Sequence, residues 1–396
     1  MEYIKRALGK TLRMVHDTFP VVTLTGPRQS GKTTLSRHLY PELPYINFEN
    51  IQTGLLLRDN PVGFIDSFAN GAIMDEVQRE PAVFRALQTV VDEDRYNGRN
   101  RKFIITGSSN FAVMAGCSES MAGRTAPMTL LPLSVNEILD GCDSQASTND
   151  LMYFGGYPQV WISSPSATDI ILQSYIDTYV ERDLRQIMNI KDLNKFIKFL
   201  GLCAGRTGTE LNRSALAVET GITVATVDSW LSVLEASYII WMLSPWSTNL
   251  NKRLTKSSKL YFCDTGLLCN LLGISDPRQL DNYPLRGAIF ENMVMNNFMK
   301  VGYNAGKKPR MSFFRDKTGR EIDLIIEDVH GIRAFDFKAS TGFNPDYFKH
   351  IRYFEKTFPQ KLISATIIYD GDSTSEIATS GLFNFRNAKV YEMLYS

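Results

Sequence analysis

Apolar runs alternate with amphipathic stretches in the first third of the chain. The runs at 21–25, 45–48, 72–74 and 102–106 are rich in β-branched and aromatic residues, a composition typical of buried strands. The sequence between them has the length and spacing of helices. Strands that alternate with helices predict an α/β fold, in which a parallel sheet is covered by helices on both faces.

The pattern changes after residue 140. Small polar residues at 141–151 predict a linker. From Ile171 onward, apolar residues recur at intervals of three and four, which predicts a helical lid with one face packed against a core.

Residues 211–243 follow the outline of a winged helix. Predicted helices at 214–220 and 223–235 are separated by Gly221 and followed by an apolar strand. The second helix enters the DNA groove in DNA-binding versions, but here it carries two acids and no lysine or arginine. This charge favours a lid or protein-contact role over DNA reading. The basic stretch 252–259 is interpreted as a solvated connector, with contact to phosphates as the alternative.

Composition narrows the class of protein. The 396 residues suffice for two or three domains, and 43 basic residues nearly balance 42 acidic ones. Any nucleic-acid site must therefore be a local patch. The five scattered cysteines include no C-x-x-C pair, which indicates reduced thiols and a cytoplasmic location. Neither a signal peptide nor a membrane-spanning run is recognised, so no membrane partner is expected.

The main chemical motif lies between the first predicted strand and the helix that follows it. Residues 26–33 match the spacing G-x-x-x-x-G-K-[ST] of a phosphate-binding loop, whose backbone N–H groups wrap phosphates. Lys32 would add a charge beside the phosphate oxygens, and Thr33 would offer a hydroxyl to Mg²⁺. The motif predicts binding of ATP with Mg²⁺. The expected nucleotide contacts are Gly26, Pro27, Arg28, Gln29, Ser30, Gly31, Lys32, Thr33 and Thr34.

An acidic pair ends the third apolar run. Asp75 is expected to help hold Mg²⁺, and Glu76 to polarise an attacking water, which favours hydrolysis over phosphoryl transfer to a metabolite. Ser108 or Asn110, after the next strand, could sense the γ-phosphate or merely turn the chain. Arg124 is a candidate for stabilising the transition state, with a solvated surface arginine as the alternative.

Together these motifs resemble an AAA-type ATPase family that is widespread in prokaryotes. The resemblance implies ATP binding, a three-part architecture and a C-terminal domain of uncharacterised function. We accordingly predict an ATPase domain at 1–140, a lid and winged helix at 141–245, a connector at 246–283 and a C-terminal domain at 284–396. The segments that carry the resemblance are 26–33, 75–76, 106–109, 122–124, 131–134, 179–183, 259–267 and 287–292.

The C-terminal domain contains a second set of chemical groups. Glu291 lies on an apolar helix, Asp323 lies on a strand, and Asp336 and Lys338 alternate with Phe335 and Phe337 on the next strand. A turn at 330–331 would bring the two strands together. The arrangement resembles the restriction-endonuclease-like fold and implies an Mg²⁺ site at Glu291, Asp323 and Asp336, with Asp323, Asp336 and Lys338 as catalytic residues. An exposed, salt-bridged strand is the alternative.

Two hypotheses of different class follow. In the first, ATP hydrolysis moves a nuclease-like domain that acts on nucleic acid. In the second, the chain is a nucleotide-dependent switch or scaffold that binds a protein or nucleic acid and does not cut it. A small-molecule kinase is disfavoured because of the acidic pair and the chain length. Action of Arg124 on a neighbour's nucleotide would imply a homo-oligomer.

Overall fold

A parallel sheet forms the centre of the N-terminal domain. In the computed structural model, which describes residues 3–107, 121–178, 190, 192–247, 257–359, 361–377 and 380–393, its strands are β1 Val21–Thr25, β2 Tyr45–Asn47, β3 Gly71–Asp75, β4 Lys102–Thr106 and β5 Thr125–Thr129. They run in the order β2–β3–β4–β1–β5, and every neighbouring pair is parallel. The predicted parallel α/β core is confirmed.

Helices cover both faces of this sheet because its strands are apolar on both sides. Phe103 and Ile105 pack into one cluster and Ile104 into the other, as the alternation of a strand requires. The helices are α1 Leu8–Thr18, α2 Lys32–Leu39, α3 Ile51–Asp59, α4 Pro61–Asp66 and α5 Ala82–Asn97. The parallel register brings the carboxyl ends of the strands to one edge, where α/β folds bind ligands.

The middle of the chain is helical. Its helices are α6 Val135–Gly141, α7 Thr148–Phe154, α8 Pro158–Ile162, α9 Thr168–Tyr175, α10 Leu193–Ala204, α11 Arg213–Thr220 and α12 Val224–Ala236, and strand β6 Ile240–Leu243 follows. β6 pairs antiparallel with β7 Lys259–Phe262. The helix pair and strand expected at 214–243 are therefore present.

The linker prediction at 141–151 was only partly right. Helix α7 begins inside it, because Ser147 and Asp150 form a capping box in which each side chain accepts from the other's backbone N–H. Small polar residues there start a helix instead of merely linking two domains. The lid prediction from Ile171 holds for Leu172, Tyr175 and Ile176, which are buried, and its continuation at 179–187 lies outside the described residues.

A mixed sheet forms the C-terminal domain. Its elements are α13 Thr265–Leu271, α14 Arg286–Asn304, β8 Met311–Arg315, β9 Glu321–Glu327, β10 Ile332–Lys338, α15 Lys349–Thr357, β11 Leu362–Tyr369, β12 Ser375–Ile377, β13 Ser380–Asn384 and α16 Ala388–Glu392. The strand order is β12–β13–β11–β10–β9–β8. The predicted hairpin is confirmed, since β9 and β10 pair antiparallel with Phe335 opposite Leu324. Short 3₁₀ turns occur at Val77–Arg79, Pro165–Ala167, Pro277–Asn282 and Pro345–Phe348.

Helix α14 joins the domains. The side chain of Lys300 donates to the Leu133 carbonyl at 2.8 Å, and the backbone N–H of Val135 donates to Asn297 at 2.9 Å. At the end of the helix, the Asn304 carbonyl accepts from the Thr11 hydroxyl at 2.6 Å. These polar groups keep their hydrogen-bond partners only when the domains hold this relative position.

The segment predicted as a connector, 246–283, contains β7 and α13, which are buried in the core shared by the middle and C-terminal domains. The buried Asp264 caps α13 by accepting from Leu267 N at 3.0 Å, and it also accepts from Gly156 N at 2.6 Å. Asp264 thus ties α13 to the turn between α7 and α8. A search of the described helices for one long and apolar enough to cross a bilayer finds none.

Candidate functional site

The phosphate-binding loop connects β1 to α2 at the carboxyl edge of the sheet. Gly26 and Gly31 have φ angles of 142° and 91°, in the region that favours glycine. A Cβ on Gly26 would lie 2.1 Å from the Leu130 carbonyl oxygen, so no other residue fits beside β5. The loop ends at the N-terminus of α2, whose first N–H groups and dipole favour an anion.

Lys32 is folded back onto the loop. Its ammonium group donates to the carbonyls of Gly26 at 2.9 Å and Pro27 at 2.7 Å. The residue is only 6 % exposed, and burial lowers the pKa of its amine to about 8, although nearby Glu76 and Asp75 act in the opposite direction. Lys32 therefore loses its charge at a lower pH than an exposed lysine does.

This depressed pKa predicts a pH-dependent nucleotide affinity. Phosphate needs the charged amine, so above about pH 8 binding must first protonate Lys32. We expect the Kd for ATP to be flat below that pH and to rise by up to about tenfold per pH unit above it, with proton uptake on binding. Calorimetric titrations between about pH 7 and 9.5, in buffers of different ionisation enthalpy, measure both quantities. A flat Kd without proton uptake across this range would contradict the prediction.

Asp75 ends β3 beside the loop and accepts hydrogen bonds from three hydroxyls. Thr33 Oγ1 and Tyr45 OH each donate to Oδ2 at 2.7 Å, and the Thr106 hydroxyl donates to Oδ1. Burial and the carboxylate of Asp75 raise the pKa of Tyr45, so the phenol stays a donor. The predicted pair Thr33 and Asp75 is thus brought together, with hard oxygen atoms of the kind Mg²⁺ prefers.

Glu76 follows Asp75 with a left-handed backbone, at φ 57° and ψ 40°. This conformation is uncommon outside glycine and often marks a functional site. The turn directs Glu76 into the same pocket as Lys32 and Thr33, and its carboxylate accepts from the side chain of Gln78. The two acids of the predicted pair therefore lie apart: Asp75 lies beneath the loop, and Glu76 faces the pocket.

The pocket lies between the phosphate-binding loop and the lid and has a volume of about 620 Å³. Tyr3 and the lid residues Gln159 and Tyr175 form its other walls. Of the predicted contacts, Gly26 and Pro27 accept hydrogen bonds from Lys32 through their backbone carbonyls, and the Ser30 carbonyl accepts from Arg6. The candidates Ser108 and Asn110 lie outside the described residues. The predicted contacts that line the pocket are Arg28, Gln29, Gly31, Lys32, Thr33 and Thr34.

Arg6, which our sequence reasoning did not select, supports the loop from the N-terminal segment. Its guanidinium donates to the carbonyls of Ser30 and Leu131, both at 2.7 Å, and to the Glu137 carboxylate at 3.0 Å. Glu137 is buried, which raises the pKa of its carboxyl, but the Arg6 charge and backbone donors outweigh this and hold that pKa below its usual range. The ion pair fixes the loop to α6.

Arg124 does not reach this pocket within one chain. The register of β5 on β1 puts Thr125 opposite Val21 and Thr129 opposite Thr25, so Arg124 lies at the amino edge of the sheet. The nucleotide pocket is at the other edge, roughly 13 Å along the strand. Arg124 instead makes a bidentate ion pair with Asp92, at 2.6 and 2.7 Å. Within one chain, Arg124 is therefore not placed to contact a nucleotide in this pocket.

The C-terminal candidates come close together but are engaged by protein donors. Asp323 accepts from the backbone N–H of Phe337 at 2.8 Å and shares a hydrogen bond with Asp336. Lys338 pairs with Asp336 at 2.8 Å. Burial raises the pKa of Asp336 well above its usual value, and the Asp323 charge adds to the effect, while Lys338 acts in the opposite direction. Burial, together with the Asp323 charge, also raises the pKa of Glu291, to about 7.

The predicted metal-ligand set at Glu291, Asp323 and Asp336 is not formed. Glu291 accepts from Lys259 Nζ at 3.0 Å and Tyr261 OH at 2.5 Å. Within the described ranges, no group of three or more acidic, histidine or cysteine side chains is arranged to hold a metal ion. Lys259 and Lys338 place two cations beside these carboxylates.

Family models divide the chain into three consecutive matches. Residues 18–139 match "AAA domain", residues 145–278 match "Domain of unknown function (DUF8612)", and residues 286–386 match "Domain of unknown function (DUF4143)". The prediction of an AAA-type ATPase domain in the N-terminal third is confirmed. The matches to the other two parts do not name an activity.

Relatives are found over nearly the whole chain. "Uncharacterized protein Mb2031c" of Mycobacterium bovis and "Uncharacterized protein Rv2008c" of Mycobacterium tuberculosis are each 30% identical over 376 residues, which is 93% of this chain and 80% of theirs. Among solved structures, the Walker-type ATPase PABY2304 of Pyrococcus abyssi is similar at 14% identity and a TM-score of 0.47, over 68% of this chain and 96% of that one.

Proposed function

The chain belongs to the same family as the uncharacterised mycobacterial proteins Mb2031c and Rv2008c, and we propose that it is a Mg²⁺-dependent ATPase whose nucleotide cycle moves its lid and C-terminal domain. The observation that carries the proposal is the 2.7 Å contact between Thr33 and Asp75, beside a pocket that Lys32, Thr33 and Glu76 line. The AAA domain match over residues 18–139 supports it.

The residues present fit both ATP and Mg²⁺. The loop offers backbone N–H groups to phosphates, and the hydroxyl of Thr33 and the carboxylate of Asp75 supply oxygen ligands for the ion. When bound, Mg²⁺ supplies positive charge to the phosphate oxygens. Lys32 would exchange its two carbonyl acceptors for phosphate oxygens, and Glu76 would take a proton from the attacking water.

Contacts of the loop and lid suggest how the cycle is transmitted. The pocket is closed on one side by α8 and α9, so a bound nucleotide would contact the lid directly. Thr25, the last residue of β1, shares a hydrogen bond with the Tyr238 hydroxyl at 3.1 Å. Helix α14 meets the ATPase domain at Leu133 and Thr11. Movement of the loop would therefore be transmitted to the middle domain and to the C-terminal domain.

We favour a partner-binding C-terminal domain over an active nuclease. The carboxylates of Glu291, Asp323 and Asp336 have protein partners, and the described residues include no group of three such side chains arranged to hold a metal ion, which supports this preference. The partner would be a protein or nucleic acid. Three helices and the β6–β7 pair support the winged-helix hypothesis for the middle domain, and the acids on α12 favour a protein contact.

The four described cysteines are unpaired, which supports the proposed cytoplasmic location. Arg124 could assist catalysis only on the nucleotide of a second copy, so any catalytic role for it requires a homo-oligomer.

Release of free phosphate tests the proposal. Full-length protein is incubated with ATP and Mg²⁺, with no added acceptor, and the expected result is steady phosphate release that EDTA abolishes. Absence of release would refute the ATPase, and release that begins only when a metabolite is added would indicate a kinase. Parallel incubations with single- and double-stranded DNA and RNA, using the D336A variant as control, test the nuclease. Cleavage that D336A loses would overturn our preference for binding without cutting.

A further inference from the structure

A second cleft lies where all three domains meet. Its volume is about 740 Å³, which is within the range of pockets that bind small molecules. Thr25 and Met128 line it from the ATPase sheet, Tyr238 from the turn before β6, and Met299 from α14. We call it the three-domain cleft. It is distinct from the nucleotide pocket, with which it shares none of its lining residues.

The walls of the three-domain cleft are mostly apolar. Four of them are methionines, whose flexible and polarisable side chains adapt to ligands of irregular shape. Trp241 and Tyr303 add large flat surfaces, which suit an aromatic or aliphatic group. The methionines are Met128, Met242, Met299 and Met311.

The charged groups of the cleft lie at its rim. Lys307 and Lys308 are consecutive, exposed residues in the segment after α14, and Glu235 is exposed near the end of α12. The two consecutive lysines place positive charge at this rim. A ligand with an apolar body inside the cleft and one anionic group at the rim would match both features.

We propose that the three-domain cleft binds a small molecule that has an apolar body and one anionic group. The volume argues against a macromolecule, and the charge of the rim argues against a neutral or cationic small molecule.

The cleft is also placed to influence the nucleotide site. Tyr238 has a φ of 57°, unusual for a tyrosine, and its hydroxyl shares a hydrogen bond with Thr25, directly before Gly26 of the phosphate-binding loop. A ligand against Tyr238 would therefore change ATP affinity, and ATP would change the ligand's affinity by the same factor. This coupling rests on the proposed function, whereas binding in the cleft does not.

The test uses two fluorescent probes that share one ring system. 1-Anilinonaphthalene-8-sulfonate is anionic and N-phenyl-1-naphthylamine is neutral. We expect the anionic probe to bind the full-length, nucleotide-free protein at one site with about three- to fivefold higher affinity than the neutral probe, since contacts to exposed amines are weak. Decanoate should displace it, and decanol should not.

Two substitutions on α12 locate the site. Ser232 lines the cleft, is exposed and bonds only to the Asp228 carbonyl, so S232W should obstruct the cleft without unfolding the helix. Ser229 is exposed on the same helix but does not line the cleft, so S229W is the matched control. S232W should weaken binding of the anionic probe by about tenfold or more, and S229W should leave that affinity unchanged. The double substitution K307Q/K308Q should remove the preference for the anionic probe.

Equal binding of the two probes, or equal binding by S232W and S229W, would overturn the proposal. All these measurements are made without nucleotide and repeated in K32A. A negative ATPase assay therefore does not change the interpretation of probe binding in the cleft. Absence of probe binding, in turn, does not change the interpretation of the ATPase assay.

Discussion

Replacement of Lys32 by alanine should remove ATP binding and, with it, ATP hydrolysis. The ammonium group is desolvated and held in the loop by two carbonyls, so it is pre-positioned for phosphate oxygens. Charge-assisted hydrogen bonds are each worth about 1.5–3 kcal/mol, and losing them should weaken ATP affinity by about a hundredfold or more. Titration with a fluorescent ATP analogue measures the affinity directly.

Lys10 provides the control for this experiment. It is an exposed lysine on α1 of the same domain and does not line the nucleotide pocket, so K10A loses an equal charge outside that pocket. K10A should bind ATP like the parent protein. If K32A bound ATP within about threefold of the parent, which is a difference of less than 1 kcal/mol, the loop would not be the nucleotide site.

Replacement of Glu76 by glutamine should preserve ATP binding and slow hydrolysis by about 10²–10⁴-fold, the usual contribution of a general base. The amide keeps the size of the side chain but cannot take a proton from water. The left-handed turn that directs residue 76 into the pocket belongs to the backbone and should survive the change. Single-turnover hydrolysis, with ATP affinity measured in parallel, separates chemistry from binding.

A second glutamate in the pocket provides a comparison for the E76Q variant. Glu49 also lines it, 3.7 Å from Arg79. Loss of turnover in E49Q with normal turnover in E76Q would transfer the role of base to Glu49. E93Q, an exposed change on α5, should have no effect on either quantity.

Local motifs were readable from the sequence because their residues are neighbours along the chain. The phosphate-binding loop needs glycines at fixed offsets and a strand before it, and both are visible in residues 21–33. The β9–β10 hairpin was readable for the same reason, since Gly331 marks the turn and apolar residues alternate on each side.

Partners that are distant along the chain were not readable. Tyr45 and Thr106 look like ordinary strand residues, and only the order of the strands shows that their hydroxyls meet Asp75. Arg6 and Glu137 are 131 residues apart. The order of the motifs likewise does not tell which edge of the sheet Arg124 occupies.

The ion-pair network of the C-terminal domain was missed for a related reason. The spacing of Asp323, Asp336 and Lys338 along the chain predicts a metal site. The side chains that donate to Glu291 come from another part of the chain. Lys259 and Tyr261 lie on β7, in a segment that had been interpreted as a connector. Whether a set of carboxylates is available to a cation depends on such neighbours.

The position of Arg6 limits how this protein can be divided for experiments. The AAA domain match begins at residue 18, yet Tyr3 and Arg6 line the nucleotide pocket, and Arg6 holds the Ser30 carbonyl of the loop. A fragment cut at residues 18–139 would lose one wall of the pocket and leave Glu137 a buried carboxylate without its cation. Weak ATP binding by such a fragment would reflect the place of the cut and not the chemistry of the intact chain.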